Sequence, residues 1–145
     1  MNKFNRLLKI IIDLKLKVGT YALFGSAPIV VRRIREFSGD IDIIVTKNVW
    51  NEYKNKTGWI LQRSVKKNGE KIEALVNNNI ELYYSWGPGK WDIKKLISTA
   101  ENINGLRYVN LKQVLIWKKL NNRTKDIYDV KLINFFLKNN VDFYN

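Results

Sequence analysis

From residue 21 the chain reads Tyr21-Ala22-Leu23-Phe24-Gly25-Ser26, then thirteen residues of spacer, then Asp40-Ile41-Asp42-Ile43-Ile44-Val45. The first apolar run is short and ends at a glycine, which predicts a buried strand entering a tight turn. Ser26 can cap a helix, and Pro28 suits its first turn. That helix is expected to run to about Phe37, where Ser38-Gly39 breaks it. The β-branched run from Asp40 then predicts a second strand. On a strand, Asp40 and Asp42 point to one face, while Ile41 and Ile43 point to the other. Two close carboxylates repel unless a cation lies between them, and Mg²⁺ takes carboxylate oxygens together with substrate phosphate. A solvent-facing acidic edge would give the same pattern. What favours chemistry is the Gly25-Ser26 turn, whose hydroxyl and amides can grip phosphate.

Outward from this stretch, Phe4, Leu7, Leu8, Ile11 and Leu14 recur at helical spacing, which predicts a helix over 3–17 ended by Gly19. A short helix is expected over 48–56, with Asn48 as its cap. Strands are expected over 59–65, 71–76 and 80–84, separated by Asn68-Gly69 and Asn77-Asn78-Asn79. After Trp86-Gly87-Pro88-Gly89 the chain reads as helices over 91–99, 111–120 and 125–137. No repeat or linker divides it. The expectation is one α+β domain over 1–145, with a core at about 20–85 and a helical part at about 90–140.

The chain carries 26 Lys and Arg against 13 Asp and Glu, a net charge of +13. Such a domain usually meets a polyanion. Lysine enrichment spread evenly over the surface would give the same total. With neither Cys nor His, disulfides, thiolate or imidazole zinc sites and histidine acid–base chemistry are excluded. Carboxylates, Lys, Arg, hydroxyls and oxygen-bound metals remain. Lys3 and Arg6 precede an apolar stretch, but Lys9 and Asp13 interrupt it, and no small-residue cleavage site follows. The expectation is a soluble cytoplasmic protein without a membrane partner.

Phe24-Gly25-Ser26 followed by Ser38-Gly39-Asp40-Ile41-Asp42-Ile43 resembles the signature of the nucleotidyltransferase superfamily. DNA polymerase β, CCA-adding enzymes and many small toxin-like transferases share its fold. The resemblance implies a small mixed sheet flanked by helices, with further helices at the C-terminal end. It implies that Asp40 and Asp42 bind Mg²⁺ (or Mn²⁺), and that Gly25 and Ser26 hold the triphosphate of an NTP. The superfamily often adds a third acid from a neighbouring strand. Glu81, in Ile80-Glu81-Leu82, fits as metal ligand and general base, and Glu73, in Ile72-Glu73-Ala74, is its rival. A salt bridge with lysine would explain either.

The stretch Leu115-Ile116-Trp117-Lys118 through Arg123-Thr124-Lys125-Asp126-Ile127-Tyr128-Asp129 is similar to the C-terminal helices of the abortive-infection nucleotidyltransferases. That similarity implies that Lys118 contacts phosphate and Asp126 lies near the active site. A helix cap or salt bridge suits Asp126 and Asp129 equally well. The likeness covers about residues 20–46 and 70–138. The chain is short for that group, and its third acid is Glu where Asp is common.

The function implied is Mg²⁺-dependent transfer of a nucleotidyl group from an NTP to an acceptor, with RNA the expected acceptor. An inactive relative that binds nucleic acid, or a toxin-like enzyme controlled by a partner or antitoxin protein, stays open. Arg32, Arg33 and Arg35 face either phosphate or solvent. Lys66, Lys67 and Lys71 flank the Asn68-Gly69 turn. Trp86 and Trp91 suit the core better than base stacking.

Overall fold

The computed structural model describes residues 1–66 and 69–139. Lys67 and Asn68, and residues 140–145, lie outside the described residues. Seven strands form one sheet: β1 (Tyr21–Leu23), β2 (Ile41–Val45), β3 (Ile60–Val65), β4 (Lys71–Asn77), β5 (Ile80–Tyr83), β6 (Glu101–Ile103) and β7 (Leu106–Tyr108). Their order is β3-β4-β5-β2-β1-β7-β6. β2 pairs in parallel with β5, and β1 with β7, while the other neighbours are antiparallel. With the helices α1 (Lys3–Leu14), α2 (Ala27–Val30), α3 (Lys47–Lys54), α4 (Ile93–Ser98), α5 (Leu111–Asn121) and α6 (Thr124–Asn139), this is an α+β architecture on a mixed open sheet.

Strand alternation divides the core between the two faces. Ile41, Ile43, Val45, Leu75 and Leu82 point to one face, where Phe4, Leu7 and Ile11 of α1 and Val49, Trp50 and Tyr53 of α3 cover them. Ala22, Phe24 and Ile44 point to the other. There α4, α5 and α6 contribute Leu96, Ile97, Val114, Trp117 and Ile133. Each buried Val, Leu, Ile or Phe among them contributes about 1.5–3 kcal/mol of transfer free energy. Among the described residues, none from β3 or β4 belongs to this second core. The helices therefore roof only part of that face. The exposed side chain of Ile60 shows that the β3 end is open.

Several boundaries differ from the sequence expectation. α1 stops at Leu14, because Lys15 turns left-handed (φ 54°) and its N–H closes on Ile12 O. α3 begins at Lys47 with Thr46 as cap, not Asn48. α2 ends at Val30, not Phe37. Arg33 follows with φ 59°, a left-handed conformation that no α-helix interior contains. Ser26 precedes α2 without making a side-chain cap. The β6–β7 hairpin lies where no strand was expected, and Asn104-Gly105 turns it with both φ values positive (51° and 91°). No helix among the described residues is long and apolar enough to cross a membrane.

Candidate functional site

The Gly25-Ser26 turn and the β2 acid meet through the backbone. Phe24 N–H donates to Asp42 O at 2.8 Å, so the turn sits directly over Asp42. Gly25 has φ +58°, and a Cβ on it would collide with Asp42 Oδ2 and lie 3.2 Å from Cγ. Glycine is required here by close approach as well as by conformation. Ile41 and Ile43 are wholly buried on the opposite face, which fixes Asp42 on this one.

The parallel register places Glu81 directly beside Asp42. Glu73 lies on the other face: Val76 pairs with Glu81, so the β4 residues sharing the Glu81 side are Ile72, Ala74 and Val76. Glu73 instead accepts from Tyr84 Oη at 2.7 Å and Arg63 Nε at 3.0 Å. Asp40 precedes β2 rather than starting it. Its Oδ1 accepts from Asn79 Nδ2 at 2.8 Å.

Burial, foremost, raises the Asp42 carboxyl well above the usual range. The charge of Glu81, a hydrogen bond between the two carboxyls and the charge of Asp40 push the same way, while Lys118 opposes them. Tyr83, two residues beyond Glu81, faces the same site. Its phenol is also raised, first by burial, then by the charges of Asp42 and Glu81 and by a hydrogen bond to Glu81. Strand alternation from Glu81 was the signal that could have found Tyr83.

Across the cavity stands a cluster of the opposite sign. Lys118 is buried on α5. Its Nζ lies 3.1 Å from Asp126 Oδ1 and 2.9 Å from Asp129 Oδ2. Arg123 donates to Asp126 from its backbone N–H, Nε and a terminal nitrogen. Arg35 donates Nε to Asp129 at 2.7 Å. Burial acts to raise both aspartates, but hydrogen bonds from Arg123 and Lys118 hold Asp126 below the usual range, and those from Arg35 and Lys118 do so for Asp129.

Both groups open on one cavity of about 1070 Å³. Gly25, Ser26, Asp40, Asp42, Glu81 and Lys118 all line it. Asp126 does not. It is fully buried, and it holds Lys118 and Arg123 from behind. Of the three arginines in the spacer, only Arg35 reaches the cavity. Arg32 bridges to Glu101 at 2.7 Å, and Arg33 is exposed. Trp86 and Trp91 pack around Phe24, with Trp86 stacked on its ring at 4.4 Å.

The donor set suits a hard divalent cation in part. Asp42 and Glu81 stand side by side, and of the charges acting on Asp42 only Lys118 opposes the two acids beside it. Asp40 is turned to Asn79. Among the described residues no group of three or more Asp or Glu side chains is arranged as a metal cage. Such a two-carboxylate site would draw its remaining ligands from substrate phosphate and water. No protein-family model matches this chain, and no curated protein matches it in sequence.

Proposed function

We propose that this chain is a nucleotidyltransferase of the DNA polymerase β-like fold, and that it transfers a nucleotidyl group from an NTP to an acceptor hydroxyl. The observation carrying this is the close packing of the Gly25-Ser26 turn on Asp42, with Glu81 beside it and Lys118 in the same cavity. A carboxylate pole and a cationic pole across one cleft complement a metal-bound triphosphate.

Asp42 and Glu81 would hold Mg²⁺ (or Mn²⁺), which supplies charge neutralisation on the triphosphate oxygens. Ser26 offers its hydroxyl to phosphate. Lys118 has three donors, of which two are directed at Asp126 and Asp129. Its third is left for a phosphate oxygen, and the two aspartates keep the ammonium charged and oriented. Asp126 thus positions the phosphate-binding lysine without touching the nucleotide. Glu81, or Asp40 at the cavity edge, would accept the proton of the acceptor hydroxyl as its oxygen bonds to the α-phosphorus and pyrophosphate leaves.

RNA is the proposed acceptor, because +13 exceeds what one NTP needs. Arg123 lines the cavity with its side chain exposed, and Lys119 is exposed on α5. NTP as substrate goes with a cytoplasmic location. Incubation with each labelled NTP, Mg²⁺ and total RNA tests this: labelled RNA is expected, and its absence with every NTP counts against it. One observation favours instead an inactive relative that binds nucleic acid: Asp40 is engaged by Asn79, away from a three-acid cage.

A further inference from the structure

A second, smaller cavity of about 310 Å³ adjoins the first, and the two share Ile72, Glu81 and Tyr83 in their walls. Its other lining residues are Gln62, Arg63 and Ser64 of β3 and Ala74 of β4. The register explains this grouping. Gln62 pairs with Ala74 and Ser64 with Ile72, and these four point to the same face as Glu81. This is the unroofed end of the sheet, where the helices of the second core do not reach.

Glu81 therefore stands on the boundary between two compartments. The larger holds the Gly25-Ser26 turn, Asp42 and Lys118, which suit a triphosphate. The smaller has a different character. Ile72 and Ala74 give an apolar floor and Gln62 and Ser64 offer neutral donors and acceptors, while Arg63 at the rim alternates to the other face of the sheet, where its Nε donates to Glu73. Glu81 is its one acid, which disfavours a polycationic acceptor. A volume near the lower limit for small-ligand sites (about 300 Å³) admits one sugar-and-base unit and excludes a folded polymer.

From this juxtaposition we propose that the small cavity is the acceptor subsite and takes the terminal nucleoside of a single-stranded RNA, its ribose hydroxyl at Glu81. This rests on the nucleotidyltransferase reading of the larger cavity. The base lies over Ile72 and Ala74, and Gln62 and Ser64 bond its edge or the sugar. Tyr83, two residues along β5, lies beside Glu81 in both walls.

Photocrosslinking tests the placement without depending on turnover. A short single-stranded RNA with 4-thiouridine at its terminal position is irradiated with the full-length protein, and crosslinked peptides are mapped by mass spectrometry. Crosslinks are expected within residues 62–64 and 72–74. Gln62→Glu, at an exposed strand position, should weaken binding of the same RNA by about tenfold, as loss of one good contact would. Binding of a non-hydrolysable ATP analogue with Mg²⁺ is measured in parallel. If the analogue binds but crosslinks fall on the α5–α6 helices, or Gln62→Glu leaves RNA affinity unchanged, the subsite is overturned alone. If RNA does not crosslink and label passes to a protein or small-molecule hydroxyl, the RNA acceptor is overturned. If no NTP analogue binds, the reading of the larger cavity falls first.

Discussion

Two charged groups face each other across the main cavity, and they are built on opposite plans. Lys118, Asp126, Asp129, Arg35 and Arg123 form a network in which both buried carboxylates have cationic partners at 2.7–3.1 Å. Asp42 and Glu81 are half-buried side by side, and only Lys118 opposes the charges acting on Asp42. The first group stabilises the fold. The second is only partly offset by Lys118, and costs stability that a bound cation would return.

The largest effect should come from breaking the compensated network. Lys118→Met leaves Asp126 and Asp129 short of a buried partner and should cost about 3–5 kcal/mol in urea denaturation. A loss too small to measure would mean that Arg35 and Arg123 suffice. Next comes the turn above the carboxylates. Gly25→Ala adds a Cβ against Asp42 at a left-handed φ, and should cost about 1–3 kcal/mol. It should also displace Asp42, and unchanged stability would contradict the close approach.

Smaller, and opposite in sign, is Asp42→Asn. Removing a charge that burial and Glu81 oppose should stabilise the metal-free protein at neutral pH by something of order 1 kcal/mol. The pH dependence sharpens the contrast. The folded-state pKa of Asp42 is raised, so its contribution is fully present below the unfolded value of 3.8 and is lost as pH rises through the folded value. Asp126 and Asp129 are lowered, so theirs is present above 3.8 and is lost as pH falls through the folded values. Urea titrations from about pH 4 to 8 should show the gain from Asp42→Asn shrinking toward acid. A gain independent of pH would place its origin elsewhere.

Much of the carboxylate side was legible in the sequence, because local rules write it. A glycine after an apolar run, an Asp between buried isoleucines and a Glu between Ile80 and Leu82 each announce their face by alternation alone. The choice of Glu81 over Glu73 needed the β4–β5 register, which depends on pairing across a turn. The cationic side was less legible. Ile29, Val30, Ile34 and Phe37 imitate a helical stripe, yet the chain leaves the helix at Val30. Arg32 goes to Glu101 and Arg35 to Asp129, sixty-nine and ninety-four residues away, and no local pattern carries such pairs. The β6–β7 hairpin was signalled by Asn104-Gly105, but its three-residue strands are too short to show a period.

The central claim is that one cleft joins a metal-binding carboxylate pair to a phosphate-binding lysine. Thermal unfolding with Mg²⁺, a non-hydrolysable ATP analogue, and both together tests it most directly, on the native chain, Asp42→Asn and Glu73→Gln. The account predicts that Mg²⁺ and the analogue together raise the midpoint of the native chain and of Glu73→Gln beyond either ligand alone, by linkage to the folded state. Asp42→Asn should lose that joint increment while keeping its fold. Midpoints that ignore Mg²⁺ and nucleotide in all three, or a joint increment that survives in Asp42→Asn, would contradict it.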